Sequence, residues 1–208
     1  MSIEEAYNSW ANQYDTNLNK TRDLDQKATI NTLENYKFSK VIELGCGTGK
    51  NTVYLLKRAI EIVALDFSEE MLKIAKKKVN TDKVEFYKTN LMEDWTVTDN
   101  FADLISCNLT LEHIHNLDFI FAQAYKKLIK NGYFFICELH PFKQYLGSKA
   151  RYKDGSGTVD LEVFTHHISE YIENATKNGF KLVELKEWFD REEENEIPRL
   201  ISFVFKKN

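Results

Sequence analysis

The chain has 208 residues, enough for one well-filled core and too few for two full-sized domains. Hydrophobic residues make up 43% and charged residues 29%, a soluble globular balance, and no apolar run approaches the roughly 18 residues of a membrane span. The net charge of −4 argues against a nucleic-acid partner, because a phosphate backbone calls for a basic face.

The opening "MSIEEAYNSW" is acidic and mixed, with neither the basic region nor the apolar core of a secretory signal. Cys46, Cys107 and Cys137 sit in or beside apolar runs and form no short C-x-x-C pair, which reads as reduced, buried thiols in a cytoplasmic protein.

In chain order, "IEEAYNSWANQYD" places Tyr7, Trp10, Ala11 and Tyr14 on one helical face. "DLDQKATINTLENY" predicts a second helix with Asp23 as its N-cap. Strand and helix periods then alternate. "KVIEL" is a strand, "KNTVYLLKRA" a helix, "EIVALD" a strand, and "SEEMLKIAKKKV" a helix capped by Ser68. "KVEFYK" and "FADLISCN" are strands, and "NLDFIFAQAYKKLI" is a helix with Asn116 at its start and Asn131-Gly132 at its stop. "YFFICEL" is a strand, "ISEYIENATKN" a helix ended by Gly179, and "KLVELKEW" and "RLISFVFK" are two closing strands.

Near-continuous apolar strands alternating with amphipathic helices predict a doubly wound, mostly parallel sheet of seven strands. No helix separates the last two strands, so the final one should run antiparallel. The run "REEENE" between them reads as a solvated loop.

Gly45, Gly47 and Gly49 follow the first strand directly, where a backbone turn would let a ligand approach. Asp66 closes the next strand about 20 residues later, the place from which a carboxylate can accept from ribose hydroxyls. The spacing is G-x-G-x-G, not the G-x-G-x-x-G of nicotinamide enzymes, and Glu43 just ahead of it disfavours a pyrophosphate. The phosphate-loop spacing is absent. A nicotinamide-dependent oxidoreductase and a cofactor-binding relative without turnover are the alternatives to the reading that follows.

"VIELGCGTGKNT" resembles motif I of the class I S-adenosylmethionine-dependent methyltransferases. "ALDFSEEML", "VEFYKTNL", "FADLISCNLTLEHI" and "AYKKLIKNGYFFICEL" resemble their later motifs in order, over about residues 38–140. The similarity is greatest to the small-molecule type 11 branch, which includes quinone-biosynthesis enzymes. The resemblance implies a Rossmann-like methyltransferase fold, S-adenosylmethionine as cofactor and S-adenosylhomocysteine as product. It places Gly45, Cys46 and Gly47 under the methionine part, with Glu43 ordering that loop. Asp66 falls on the ribose and Phe67 against the adenine. Asn90 and Leu91 stand where the family has Asp and a small residue, and Asn108 would bound the methyl-transfer chamber. Tyr14 matches the tyrosine of an N-terminal "YD" pair that covers the cofactor. Some relatives hold a metal through Glu-x-x-Glu-His; here Leu109 replaces the first Glu before Glu112-His113, so no metal is expected.

A sulfonium is already a strong electrophile, so alignment and dryness matter most, and a base matters when the acceptor is a hydroxyl. His113 and His140 follow the fourth and fifth strands and are the candidate bases; His166 and His167 could fold over the same mouth. The stretch from residue 140 to 167 is longer than a simple link and reads as a substrate cap, with Tyr145, Arg151 and Tyr152 as contacts. Arg22, in "TRDLD", closes the other side, and Arg22 with Arg151 points to an anionic acceptor.

The expected organisation is one domain over 1–208. Its parts are a helical lid at 1–37, a cofactor core at 38–139, the cap at 140–167, and a closing helix and strands at 168–208. The expected activity is methylation of a small molecule, O-methylation favoured over N-methylation, with no nucleic acid and no membrane span.

Overall fold

The computed structural model describes residues 2–16, 18–154, 157–190 and 197–208, with only the backbone at 152–154 and 157–160. The run "REEENE" lies outside the described residues.

Strands β1 (Lys40–Leu44), β2 (Glu61–Asp66), β3 (Val84–Lys88), β4 (Ala102–Asn108), β5 (Leu128–Leu139), β8 (Phe180–Trp188) and β9 (Leu200–Lys207) form the main sheet. Its order is β3-β2-β1-β4-β5-β9-β8. The first five run parallel, and β9 enters antiparallel between β5 and β8. This is the predicted doubly wound sheet with its antiparallel finish.

Alternation within the strands fills both faces. Ile42, Leu44, Ile105, Phe134 and Phe203 face a core completed by Phe121 and Tyr171. Val41, Leu104, Phe135 and Val204 face the opposite core with Leu33, Leu55 and Leu72. Cys46, Cys107 and Cys137 are buried free thiols, as read from the sequence.

Helices α1 (Ile3–Tyr14), α2 (Lys20–Leu33), α3 (Lys50–Leu55), α4 (Glu69–Lys78), α5 (Leu117–Lys127), α6 (Pro141–Tyr145) and α7 (Ile168–Lys177) surround the sheet. Ser68 caps α4 by accepting from the Met71 N–H, and Asn116 caps α5. Gly179 follows α7 in a left-handed conformation, as expected of a helix stop.

Four local expectations change. Asn19, not Asp23, caps α2, so Arg22 lies inside the helix and Asp23 is free to pair with Lys50. Helix α3 has only six residues, because the chain turns after Leu55. Helix α5 stops at Lys127; Asn131 and Gly132 lie within β5, where the β4–β5 register shifts and Asn131 takes φ +65°. The cap is not a plain loop: it contains α6 and a hairpin of β6 (Arg151–Asp154) and β7 (Gly157–Asp160). Among the described residues, no helix is long and apolar enough to cross a membrane.

Candidate active site

The strand order reverses between β1 and β4, and their carboxyl ends open the crevice where doubly wound sheets bind ligands. The chain leaves β1 through Gly45, at φ +66°, and a Cβ there would fall 2.1 Å from Thr110 Oγ1. Only glycine lets the turn after β4 approach this closely. Gly47 differs: its φ is +52°, and a Cβ would meet nothing within 4 Å, so its outer side is open. The Gly47 N–H donates to Asp66 Oδ2 at 2.8 Å, and the Ser68 N–H to Oδ1 at 2.8 Å. Burial pushes the Asp66 carboxyl up to about 6 against those backbone bonds. A carboxylate has about four lone-pair directions, so it can accept two more donors.

A cavity of about 380 Å³ lies outside this turn. Gly45, Asp66, Phe67, Asn90, Leu91 and His113 line it, together with Thr110, Ile114 and Glu162, which the sequence did not single out. Asn90 Nδ2 donates to Glu93, and its Oδ1 accepts from the Met92 N–H.

Beneath the turn sit carboxyls with neutral partners. Glu43 accepts the Thr52 hydroxyl at 2.6 Å, and burial pushes it up to about 8. Asp25, also raised by burial, accepts from Asn51 and from Asn108, which donates as well to Thr29. Glu43, Cys46 and Asn108 are therefore placed behind the glycine turn and do not line the cavity.

Helix α1 crosses the crevice. Asn8 Oδ1 accepts the Ser68 hydroxyl at 2.7 Å, Glu4 pairs with Lys88, and Asp15 meets Thr48 and Lys78. The Tyr7 hydroxyl donates to His113 Nε2 at 2.8 Å, while His113 Nδ1–H donates to the Glu162 carbonyl at 3.1 Å. That pairing fixes the imidazole as the Nδ1–H tautomer, and burial lowers its pKa. Tyr7 also meets Phe67, Trp10 and Tyr14 edge-on or tilted, making an aromatic wall.

Behind that wall is a second cavity of about 400 Å³. Arg22 and Arg151 line it, joined by Lys149, Arg199 and Glu112; Tyr14, expected over the cofactor, lines this cavity and not the one at Asp66. The Arg22 guanidinium lies 4.0 Å from the Tyr14 ring centroid and donates to the Tyr14 carbonyl. Arg199 pairs with Asp190 and donates to Thr21. Glu112 is buried, pushed up to about 7 by desolvation, with the Gln144 amide at 3.5 Å.

His140 takes another place. It is fully buried; its Nδ1 accepts from the Phe142 N–H as the cap of α6, and its Nε2–H donates to Glu187. Neither cavity includes it. His166 donates to the Ile114 carbonyl at 2.8 Å. Tyr145 is exposed and bonded to His167. The Tyr152 side chain lies outside the described residues.

A family model described as a methyltransferase domain matches residues 42–136, which span the glycine turn, Asp66 and the turn after β4. Over that stretch, a little under half of its length, the chain matches the methyltransferase domain family. It is 34% identical over 96 residues to a malonyl-[acyl-carrier protein] O-methyltransferase of Bacillus cytotoxicus, covering 45% of this chain and 33% of that one. It is 28% identical over 153 residues to a ubiquinone biosynthesis O-methyltransferase of Pelagibacter ubique, covering 70% and 63%. Both matches thus span less than two thirds of the relative. The fold is similar to that of DhpI in its complex with SAH, with a TM-score of 0.78 at 21% identity, over 98% of this chain and 94% of that one.

Proposed function

We propose that this methyltransferase binds S-adenosylmethionine in the cavity at Gly45 and Asp66 and methylates a hydroxyl of a small anionic acceptor in the cavity at Arg22. The composition of the second cavity's lining carries the reading: Arg22, Lys149, Arg151 and Arg199 line it, and among the described residues Glu112 is the carboxylate in that lining, while Arg199 also pairs with Asp190 outside it. A small molecule with a carboxylate or phosphoryl group matches such a lining.

The residues present fit the cofactor. Asp66 retains two acceptor directions for ribose hydroxyls, Phe67 and Leu91 offer apolar surface for the base, and the Gly47 side of the turn is open. Glu43 and Asp25, buried with neutral donors only, favour a cation nearby. Bound there, S-adenosylmethionine supplies a methyl group on a sulfonium sulfur that keeps the bonding pair when the methyl is transferred.

The chain's own residues do the rest. The wall of Tyr7, Trp10 and Tyr14, with α1 as a lid, keeps water from the crevice. The arginines orient the acceptor by its anionic group. Glu112 takes the hydroxyl proton as the new O–C bond forms; burial poises it near neutrality. His113 holds Tyr7, and so the lid, in place. Both nitrogens of His140 are committed to α6 and Glu187, which favours Glu112 as the proton acceptor.

The test is transfer of labelled methyl to a panel of hydroxy acids and their neutral amides. Transfer to the acids alone, lost in Arg22→Ala, supports the reading; equal transfer to the amides overturns the anionic part. A second reading, esterification of a carboxylate, draws on the malonyl-[acyl-carrier protein] relative. A carboxylate needs no base, so Glu112→Gln would then leave the rate unchanged.

A further inference from the structure

The two cavities are separated by one short piece of chain, residues 109–114. Leu109 and Glu112 line the acceptor side, and Thr110, His113 and Ile114 line the cofactor side. This partition begins in strain: Leu109 has φ +50°, a conformation that a branched L residue keeps only when its surroundings impose it. It also approaches the glycine turn as closely as Gly45 permits. Something must hold it there.

One side chain reaches it from below. Glu138, 1% exposed near the carboxyl end of β5, accepts both the Thr110 and Leu111 N–H groups on a single oxygen, Oε1, each at 2.9 Å. Its other oxygen, Oε2, is buried and has no hydrogen-bond partner among the described residues. A buried carboxyl spent on two loop amides, with half its capacity unused, is a costly way to fill a core position. Above the partition, the Phe164 N–H donates to the Glu112 carbonyl at 2.7 Å, and His166 and His113 tie it to the same strap of the cap. The strap can follow the cap; Glu138 belongs to the sheet.

We infer that Glu138 is a positioning residue that fixes the partition between the two cavities and thereby sets the fit of the cofactor. The inference rests on the cofactor assignment above. It concerns the backbone of residues 109–111 and asks only that Oε1 accept. A glutamine presents the same acceptor oxygen in a neutral group of the same shape, whereas an alanine leaves both amides without an acceptor.

The test is calorimetric titration of S-adenosylhomocysteine into the wild type, Glu138→Gln and Glu138→Ala, well below the thermal transition and with folding verified by circular dichroism. Glu138→Ala should weaken binding by about tenfold or more, and Glu138→Gln should stay within about threefold of the wild type. A residue that merely fills the core would not show rescue by glutamine. An alanine variant that binds within about tenfold, or a glutamine variant as damaged as alanine, overturns the inference. Amide hydrogen exchange in the wild type is the second measurement, should Glu138→Ala not fold. Slow exchange at Thr110 and Leu111 is expected, and exchange as fast as in an open loop overturns the inference. A wild type that does not bind S-adenosylhomocysteine refutes the cofactor assignment instead, and the exchange measurement still judges Glu138.

Discussion

Tyr7 and His113 are 106 positions apart in the chain, yet their side chains meet at 2.8 Å, with the phenol donating to the imidazole. The contact ties the helix that crosses the crevice to the turn that divides it. It also uses the one histidine nitrogen that could otherwise take a proton from a substrate. Tyr7→Phe keeps the edge-on and tilted ring contacts and removes only this bond. Its loss should weaken cofactor binding by about threefold to tenfold, the worth of one partly buried hydrogen bond. Calorimetry of S-adenosylmethionine binding measures it; an unchanged affinity would detach the lid from His113.

Asp66→Ala should be more severe. It removes the acceptor proposed for the ribose and leaves the Gly47 and Ser68 N–H groups unpaired. Two hydrogen bonds to a charged group are each worth about 1.5–3 kcal/mol, so the dissociation constant should rise by far more than tenfold. A rise below about tenfold would refute the ribose assignment.

The glycines can be told apart. Gly45→Ala meets both a left-handed φ and the Thr110 side chain at 2.1 Å, whereas Gly47→Ala meets the backbone cost alone, about 1–2 kcal/mol. Thermal unfolding should place Gly45→Ala clearly below Gly47→Ala. Equal losses would mean that Thr110 moves aside freely.

Stability should depend on pH with an unusual sign. Burial raises Glu43 and Glu138 to about 8, Glu112 to about 7 and Asp66 to about 6. Each binds its proton more tightly in the folded chain than in the unfolded one. Their contribution is complete below the unfolded carboxyl range and is lost as pH rises through the folded values. The midpoint of thermal unfolding should therefore fall between about pH 5 and pH 8, and Glu43→Gln should remove up to about 1.4 kcal/mol per pH unit of that slope. A midpoint that rises over this interval contradicts the assignment. His113 and His140, lowered by burial, act the other way inside this window but are outnumbered by the raised carboxyls, while Asp15, Asp118 and Asp190, held low by hydrogen bonds or ion pairs that outweigh desolvation, act the other way at acid pH, below it.

The sheet was legible because its strands are buried on both faces and read as unbroken apolar runs, and because glycines and an acid mark the first two strand ends. Ser68, Asn116 and Gly179 were legible because caps and stops depend on local chemistry. Contacts between distant segments left no such mark. Tyr7 falls on the same helical stripe as Trp10 and could not be told from a core aromatic, and Asp25 carries no motif at all. Glu112 was visible only as half of a metal motif. Its burial and its cavity come from the turn after β4, which spacing does not encode. Asn131-Gly132 looked like a helix stop, yet the chain absorbs it inside a strand at a register shift. The hairpin in the cap flanks an Asp-Gly-Ser-Gly stretch, but its strands of four residues each are too short to show a period of two.

The placement of β9 bears on how this chain is made. β5 and β8 are not neighbours; they are joined by β9, whose residues from Leu200 to Phe205 are almost wholly apolar and buried. Until that segment arrives, β5 presents a long unpaired edge beside an exposed aromatic face, and β8 has no partner. During synthesis β5 must wait for the later-made β9, with pairing partners about 60 to 70 residues apart. A chain cut short before Leu200 would keep every cofactor-facing residue named above and still be expected to aggregate.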